Sequence, residues 1–318
     1  MRPSLAIVVP CYNEEEVLPT TVDALGGIIE QLIQDNKVSQ DSYILFVNDG
    51  SKDATWELIE KYGLEKPFVQ GLKLSRNVGH QNALLAGLHY VKTDITVSID
   101  ADLQDDITAI IKMVDAYHQG YDVVYGVRES RTSDSRFKRL TANGFYKVMG
   151  AIGVEQVENH ADFRLLSARA LQAFLAYNES NAYLRGIVPL IGFPSTSVYY
   201  SRNPRFAGES KYPLRKMISL AIQGITSFSV FPLRLIAVTG ILVFIFSILA
   251  SAFVLLDKLI GNTVQGWTST VLIQLFLGGL QLLALGIIGE YIGKIYIEVK
   301  KRPKFFIEST TIKKENKD

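Results

Sequence analysis

Residues 5–16 read LAIVVPCYNEEE, an apolar run that a proline ends and that polar and acidic side chains follow. Similar short runs rich in β-branched residues recur along residues 1–130, and segments with helical spacing of apolar residues separate them. This alternation predicts an α/β fold, a mostly parallel sheet with helices on both faces. Ligands bind such sheets beyond the carboxyl ends of the strands, so the residues after each strand form the candidate site.

The predicted strands cover residues 5–9, 43–47, 68–74, 95–99 and 123–127. The predicted helices cover residues 14–33, 54–62, 81–91 and 107–117. Residues 131–230 are less regular, and helical spacing there predicts amphipathic helices over 137–152 and 214–228. Each of these two helices either packs on the preceding domain or lies on a membrane surface, and nearness to the apolar C-terminal region favours the surface for the second.

The composition of the 318 residues excludes several classes of protein. Lys and Arg together number 33 against 32 Asp and Glu, and a net charge of +1 indicates neither nucleic acid nor a polyanionic partner. The single cysteine, Cys11, cannot form an internal disulfide and is predicted to be a buried thiol. The glycine-rich fingerprint of nicotinamide enzymes follows none of the predicted strands, and no Cys/His cluster in the sequence indicates zinc.

Two uncharged runs near the C-terminus, residues 235–256 and 268–289, are each long enough to span a bilayer. Buried core helices are the alternative, but two such runs in tandem leave too little other chain to cover them. The short connection at 257–267 therefore predicts a transmembrane hairpin, and the apolar run at residues 5–9 is too short to be expected to act as a signal peptide. Basic side chains lie before the first span and after the second, whereas the loop between the spans has only Lys258, beside Asp257; the flanking ones are Arg234, Lys294, Lys300, Lys301, Arg302 and Lys304. This asymmetry places both chain ends in the cytoplasm.

Polar and small residues inside the second span suggest packing between helices. Gln274 and Gln281 lie on one helix face, and Gly278, Gly289 and Gly293 accompany them. Such residues favour close helix–helix contact, within the hairpin or between subunits of a homo-oligomer. The polar tail from Ser309 onward is expected to be frayed.

Polar motifs follow the first two predicted strands. The first is Pro10-Cys11-Tyr12-Asn13-Glu14, which a proline followed by the acidic first turn of a helix also explains. The second is Asn48-Asp49-Gly50-Ser51, in which Asp49, like the later Asp53, can accept hydrogen bonds from a base or a ribose. An ordinary turn that ends in a helix cap at Asp53 is the alternative for this second motif.

The motif after the central strand carries the clearest chemistry. It reads Asp100-Ala101-Asp102-Leu103-Gln104, and its two carboxylates point the same way on an extended or tightly turned backbone. Mg²⁺ prefers one or two carboxylates together with phosphate oxygens, so this pair predicts a divalent cation beside a diphosphate. The next two acids, Asp105 and Asp106, are expected at the N-terminus of the following helix.

Together these three motifs resemble the inverting family 2 glycosyltransferases of GT-A fold. Further stretches narrow the resemblance, and they read Ser75-Arg76-Asn77-Val78-Gly79-His80, His160-Ala161-Asp162-Phe163-Arg164-Leu165-Leu166 and Arg205-Phe206-Ala207-Gly208-Glu209-Ser210-Lys211-Tyr212. With the C-terminal hairpin they resemble polyprenyl-phosphate glycosyltransferases such as bactoprenol glucosyltransferases and dolichol-phosphate mannose synthase. One departure lies at residues 78–81, where many relatives carry an aromatic residue and a lysine or glutamate. No function is assigned to that departure.

The resemblance implies a role for each candidate site residue. The residues implied to bind the nucleotide-sugar are Pro10, Tyr12, Asn13, Glu14, Asp49, Arg76, Asp100 and Gln104. The metal, Mg²⁺ or Mn²⁺, is implied at Asp102 and Gln104. The catalytic residues are implied to be Asp162, Asp102 and Arg164. The residues implied to bind the lipid phosphate are Arg202, Arg205 and Lys211.

Some of these residues have alternative explanations from the sequence alone. Asp162 followed by Arg164 equally fits a structural ion pair, and Arg76 fits a surface or helix-capping arginine. Arg202 fits a solvated or lipid-headgroup charge about as well as a phosphate ligand. The family resemblance is what favours the functional interpretation.

The resemblance also implies an organisation and a reaction. A cytoplasmic GT-A catalytic domain covers residues 1–210, and an amphipathic membrane-interface helix covers 211–230. A transmembrane hairpin covers 231–294, with spans near 235–256 and 268–292. A cytoplasmic tail covers 295–318. The expected reaction is inverting transfer of a sugar, from UDP-glucose or UDP-N-acetylglucosamine by preference, to undecaprenyl phosphate in the cytoplasmic membrane. The product would serve cell-envelope glycan modification.

Two other functions compete with this one. A processive polysaccharide synthase shares the nucleotide motifs, but such enzymes usually carry a Q-x-x-R-W element, and neither Trp56 nor Trp267 follows an arginine. A non-catalytic lipid-binding membrane protein would have no need for Asp49, Asp100 and Asp102 at strand ends.

Overall fold

The computed structural model describes residues 2–129, 160–177, 184–201, 231–259 and 266–311. The chain divides into two compact units. One comprises Met1–Gly150, Glu155–Tyr212 and Arg302–Asp318, and the other comprises Ala151–Val154 and Pro213–Lys301. The predicted helices over 137–152 and 214–228, and with them the interface helix at 211–230, lie outside the described residues.

The first unit contains a sheet and the helices that cover it. Its strands are β1 (Leu5–Cys11), β2 (Tyr43–Asn48), β3 (Val69–Leu74), β4 (Ile95–Ser98), β5 (Val123–Arg128), β6 (His160–Ser167), β7 (Ser195–Tyr200) and β8 (Ile307–Thr310). Its helices are α1 (Leu18–Gln34), α2 (Thr55–Glu65), α3 (His80–Tyr90), α4 (Ala109–His118), α5 (Ala168–Leu175) and α6 (Leu184–Ile187), with a 3₁₀ turn at Val188–Ile191.

The eight described strands form one sheet in the order β7-β5-β6-β4-β1-β2-β3-β8. Strands β4, β1, β2 and β3 are parallel neighbours, and β5 pairs in parallel with β7. Strand β6 is antiparallel to both β4 and β5, and β8 is antiparallel to β3. The sequence therefore predicted the mostly parallel α/β sheet correctly, and β6, β7 and β8 are strands that it did not predict.

The core lies around β1 because helices cover both faces of the sheet there. All seven residues of β1 are buried, as a two-sided parallel strand requires. Helix α3 approaches this strand closely at Gly87, where an added Cβ would lie 2.4 Å from Val8 Cγ1. Only glycine allows that approach without displacing the side chain of Val8, so the second half of α3 packs directly on the strand.

Strand β1 runs through Pro10, which corrects the prediction that this proline ends the strand. The register between β1 and β4 stops at Val8 opposite Ser98, whereas pairing with β2 continues to Cys11. A proline costs a strand little where no neighbour accepts its missing N–H. Pro10 lies beyond the end of β4, on the side where that neighbour is gone.

The structure also corrects the expectation of a tail that is frayed from Ser309 onward. Lys73 lies opposite Ser309 in the pairing of β3 with β8. Beyond the strand, Gly71 N donates to Thr311 Oγ1 at 2.7 Å, and Thr311 N donates to Gly71 O at 3.0 Å. An open strand edge offers unpaired backbone groups to any strand that can reach it. Strand β8 pairs with these groups of β3, so the start of the tail is ordered.

The described part of the second unit consists of two long helices in contact, α7 (Phe231–Leu259) and α8 (Trp267–Lys300). Among the described residues, one segment, Phe276–Lys300, is long and apolar enough to cross a membrane. Helix α8 continues beyond the predicted hairpin end at 294 and stops where Lys301 adopts a left-handed φ of 44°. Pro303 follows two residues later, which prevents further helix.

Candidate active site

The candidate site lies at the carboxyl edge of the sheet, where three parallel strands end and an antiparallel one begins. Cys11 at the end of β1 lies opposite Asn48 at the end of β2, and Ser98 at the end of β4 lies opposite Arg164 of β6. Because β6 runs in the reverse direction, its first residues extend past the end of β4. The loop after β4 and the start of β6 therefore meet.

The loop after β4 presents the two predicted carboxylates. Leu103 turns the chain with a φ of 50°, and Gln104 N donates to Asp102 Oδ1 at 3.2 Å. Thr21 Oγ1 of α1 donates to Ala101 O at 2.8 Å, which ties the loop to the helix below it. Asp102 is half-buried, so its carboxylate is anchored by the backbone and still reaches solvent.

The two acids after this loop differ from the expectation that both begin a helix. Asp106 does so, because its Oδ1 accepts from Thr108 N at 2.9 Å one residue before α4 starts. Asp105 is instead buried and pairs with Arg128 at the end of β5, with Nη2 and Oδ1 3.1 Å apart. Burial of a carboxylate requires such a partner, and local spacing gave no sign of one 23 residues away.

Strand β6 brings Asp162 and Arg164 to the same edge as a buried ion pair. Arg164 Nη2 donates to Asp162 Oδ1 at 2.6 Å, and both residues are about 95% buried, with exposures of 4% and 5%. Ser98 Oγ of β4 donates to Asp162 O at 2.5 Å, and Arg164 Nη1 donates to Leu184 O at 3.4 Å. The ion pair is therefore held by β4 and α6 as well as by its own charges.

His80, which the sequence left without a role, bridges the two groups of carboxylates. Its Nε2 lies 3.3 Å from Asp100 Oδ1 and 3.9 Å from Asp162 Oδ2. Removal from bulk water raises the pKa of the Asp100 carboxyl, and His80 opposes this rise. The neighbouring carboxylates of Asp162, Asp105 and Asp102 raise that pKa further. The site is thus rich in negative charge before any substrate binds.

The end of β2 holds the loop between β3 and α3 in place. Asp49 is buried, and its Oδ1 and Oδ2 accept from Val78 N at 2.7 Å and Gly79 N at 3.0 Å. Burial raises the pKa of the Asp49 carboxyl, although these two backbone bonds lower it in part. Gly50 has a φ of +64°, and a Cβ there would lie 2.6 Å from Asn77 N, so the close approach requires glycine.

The loop after β1 is bonded to the loop after β2. Asn13, with a φ of 55°, donates from its backbone N to Ser51 Oγ at 3.0 Å and accepts from Lys52 N on Oδ1 at 2.9 Å. Glu14 N donates to Thr55 Oγ1 at 2.9 Å. The predicted nucleotide residues Tyr12, Asn13 and Glu14 are therefore brought beside the second motif, with Tyr12 exposed.

The remaining predicted site residues make none of the contacts described above. Pro10 is buried inside β1, and Arg76 is exposed on the loop that Asp49 holds. Arg202, Arg205 and Lys211 lie outside the described residues. The sequence analysis did not assign His80 to the site. No local pattern could have done so, because His80 reaches Asp100 only through the packing of α3 on the sheet.

The donor set at this edge fits a divalent cation of the predicted kind. Within the described ranges, no group of three or more His, Cys, Asp or Glu side chains is placed to hold a metal by itself. Mg²⁺ and Mn²⁺ sites that bind diphosphates take only one or two carboxylates from the protein. Asp102, with Asp100 two residues before it, supplies oxygens of that kind. Gln104 is buried beneath them.

Comparison with known proteins points to one family. The sequence profile of glycosyl transferase family 2 matches residues 6–175. The chain is 52% identical to the uncharacterized glycosyltransferase YkoT of Bacillus subtilis, across 96% of this chain and 92% of that protein. It is 40% identical to the SfII prophage-derived bactoprenol glucosyl transferase of Shigella flexneri, across 96% and 98%. It is 39% identical to the prophage bactoprenol glucosyl transferase homolog of Escherichia coli, again across 96% and 98%.

Proposed function

The chain belongs to glycosyl transferase family 2 and is a glycosyltransferase, and we propose that it moves one sugar from a nucleotide-sugar onto polyprenyl phosphate. UDP-glucose or UDP-N-acetylglucosamine is the favoured donor, and undecaprenyl phosphate the favoured acceptor. The observation that carries the proposal is the meeting of Asp100, Asp102 and the Asp162–Arg164 pair at one sheet edge. Relatives named bactoprenol glucosyl transferases, similar along nearly the whole chain, support the lipid acceptor.

The proposed reaction is a single displacement with inversion. An oxygen of the lipid phosphate forms a bond to the anomeric carbon of the sugar as the bond from that carbon to the nucleotide diphosphate breaks. The second pKa of a phosphate monoester is about 6, so the acceptor is already largely ionised at neutral pH. No proton has to be removed from it, and the site has to supply position and charge balance.

The loop after β4 would receive the diphosphate side of the donor. Asp102 and Gln104 would hold a divalent cation, and Asp100 would lie at the diphosphate. When bound, Mg²⁺ or Mn²⁺ supplies positive charge to the phosphate oxygens. Asp102 is suited to this because the backbone of Gln104 fixes one oxygen and the carboxylate stays open to solvent. Arg76 would lie near the same diphosphate.

The β6 pair would act on the sugar and the acceptor. Asp162 is placed to orient a sugar hydroxyl or the attacking oxygen, because Ser98 and Arg164 fix its backbone and its carboxylate. Arg164 holds that buried carboxylate through the bond from its Nη2, and its positive charge would also offset part of the repulsion between two phosphates. Pro10, Tyr12, Asn13, Glu14 and Asp49 would form the nucleotide side of the site. Arg202, Arg205 and Lys211 would meet the lipid phosphate.

The acceptor requires the site to work at a membrane surface. We propose that α7 and α8 form a two-span hairpin in the cytoplasmic membrane, with an interface helix at 211–230 and both chain ends in the cytoplasm. The length and composition of Phe276–Lys300 support one of these spans. The uncharged run at 235–256 and the basic residues outside the hairpin support the other and its orientation.

A transfer assay on the purified full chain tests this function. The reaction contains Mg²⁺, undecaprenyl phosphate and one labelled donor at a time: UDP-glucose, UDP-N-acetylglucosamine or GDP-mannose. We expect one donor to label the lipid phase with a single sugar of inverted anomeric configuration. A polymer would show a processive synthase instead. Absence of label with every donor, from protein that binds nucleotide, would show a different acceptor or a non-catalytic role.

A further inference from the structure

We infer that His80 is a positioning residue that holds the carboxylates of Asp100 and Asp162 in the arrangement that transfer requires. This inference rests on the proposed function, because it assigns those two carboxylates to the donor and to the transferred sugar. It is carried by the position of one imidazole nitrogen between two strands, together with the charge of the groups around it.

The start of α3 gives His80 a fixed position. Asp49 accepts hydrogen bonds from the two backbone amides that precede the helix, those of Val78 and Gly79. Asn82 Nδ2 donates back to Val78 O at 2.9 Å, and Asn82 N donates to Gly79 O at 3.0 Å. Gly79 has a φ of 90°, a value that glycine adopts freely. The first turn of α3 is therefore built to aim the side chain of His80 at the sheet edge.

The ring nitrogen lies between carboxylates from different strands. His80 Nε2 is 3.3 Å from Asp100 Oδ1, after β4, and 3.9 Å from Asp162 Oδ2, on β6. Arg164 binds the other oxygen of Asp162, Oδ1, at 2.6 Å. Each oxygen of Asp162 thus faces a basic side chain, and Nε2 has to carry the proton to donate toward either carboxylate.

The charges at this edge explain why such a bridge is needed. The carboxylates that face His80 are those of Asp100, Asp162 and, at longer range, Asp49, while Arg76 lies on the loop before α3. Asp105 pairs with Arg128, and Asp162 pairs with Arg164. Among the described residues, His80 is the basic side chain within ion-pair distance of Asp100. Without it, two carboxylates from neighbouring strands would face each other across the site and repel.

The expected consequence is larger for turnover than for donor binding. Asp162 is proposed to act at the sugar and the attacking oxygen, whose positions matter most in the transition state. Loss of an outer group that orients a functional side chain costs about 10- to 100-fold in activity. We expect His80→Ala to lower kcat by about that factor, with a smaller rise in the donor KM that comes from the contact with Asp100.

Two amide variants separate positioning from a merely structural role. The amide nitrogen of His80→Gln reaches the place of Nε2, whereas that of His80→Asn reaches only the place of Nδ1. We expect Gln to recover most of the kcat that Ala loses, and Asn to behave like Ala. His89→Gln, on the same helix and away from the carboxylates, serves as the control with unchanged kcat.

A measurement that needs no turnover keeps this inference separate from the proposed function. Thermal midpoints are compared for His80→Ala, Asp100→Ala and the double variant. We expect the midpoint shifts of the two single variants to be non-additive, because each removes the same contact. If the wild type transfers no sugar, the proposed function fails, and this cycle still decides whether His80 holds Asp100. Additive shifts, a wild-type kcat in His80→Ala, or equal recovery by Asn and Gln would each overturn the inference.

Discussion

Both edges of the sheet carry aspartates, but the fold shifts the pKa of their carboxyls in opposite directions. At the carboxyl edge, burial raises the pKa of the carboxyls of Asp100 and Asp49. At the amino edge, the Arg169 guanidinium bonded to Asp122 holds the pKa of that carboxyl below its ordinary value. Ser167 Oγ also donates to Asp122 Oδ1 at 2.7 Å, and Arg169 Nε donates to it at 2.6 Å.

The difference lies in how the charge of each acid is balanced within the fold. Asp122 has its cation and its hydroxyl in place, so its charge serves the fold. Asp100 has the carboxylates of Asp162, Asp105 and Asp102 around it, and among the described residues His80 is the basic side chain within ion-pair distance, so the charge of Asp100 is only partly balanced. Groups whose pKa is shifted by burial and by like charges mark functional sites in enzymes. In the proposed function, the divalent cation that accompanies a nucleotide-sugar would place positive charge beside these carboxylates.

The largest expected effect is the difference in stability lost when an acid is removed from the buried ion pair on β6 and when an exposed acid is removed from the amino edge. Asp162→Ala removes the carboxylate that faces the buried Arg164, and breaking a buried ion pair in this way costs about 3–5 kcal/mol. Asp94→Ala, which loses bonds to Ser4 at an exposed site, should cost about 1 kcal/mol. Denaturant unfolding in detergent micelles measures both free energies, and equal losses would show that the β6 pair is not a stabilising element.

Asp102→Asn tests the carboxyl edge itself. The amide keeps the shape of the side chain and removes its charge, and loss of one stabilising group at a developing charge costs about 10²–10³ in kcat. Asp122→Asn is the matched control, because it removes a carboxylate from the amino edge of the same sheet. Turnover in Asp122→Asn should equal that of the wild type. A full rate in Asp102→Asn would show that Asp102 does not hold the cation.

Asp49→Ala tests whether the second motif works through the backbone. The variant leaves the amides of Val78 and Gly79 without their acceptor, which costs about 1–3 kcal/mol for buried groups. Amide hydrogen exchange should therefore quicken at these two residues. Asp49→Asn retains an acceptor oxygen and should protect one of the two amides. Unchanged exchange in Asp49→Ala would contradict the assigned role.

The smallest expected effect is a difference in the pH dependence of stability. Since the folded state lowers the pKa of Asp122 below its ordinary value of 3.8, its contribution is present above that pH and is lost as the pH falls further. Asp49 has the opposite sign, because its raised pKa costs stability as the pH rises through it. Asp122→Asn should therefore flatten the acid side of the stability curve. If the free energy of unfolding depends on pH below 3.8 equally in the wild type and in Asp122→Asn, this prediction is refuted.

The sequence predicted strands β1 to β5 and missed β6, β7 and β8, and for β6 and β8 the reason is physical. Strands β1 to β5 are buried on both faces and read as apolar runs, so their predicted bounds differ from the observed ones by at most two residues. Strand β6 places Asp162 and Arg164 in the interior, which breaks the apolar pattern. Strand β8 is mostly polar and forms because the edge of β3 accepts it, which no local pattern reveals.

The sequence could predict those parts of the candidate site whose residues lie close together in the chain. Asp100 and Asp102 share a motif, and strand order brings them to the ligand edge. From the residues alone, Asp162 and Arg164 fitted an ion pair or a functional pair, and the structure shows an ion pair located at the site. The contact of His80 with Asp100 joins residues 20 positions apart in the chain, so only the fold places them together.

The most direct test of the whole account compares donor binding with transfer in the wild type, Asp102→Asn and Asp162→Asn. Cation-dependent binding of the labelled donor and label entering undecaprenyl phosphate are measured on the same preparations. The account predicts that Asp102→Asn weakens both, whereas Asp162→Asn binds the donor like the wild type and transfers far less. Wild-type transfer by Asp162→Asn, or wild-type donor binding by Asp102→Asn, would contradict the division of work between the two strands.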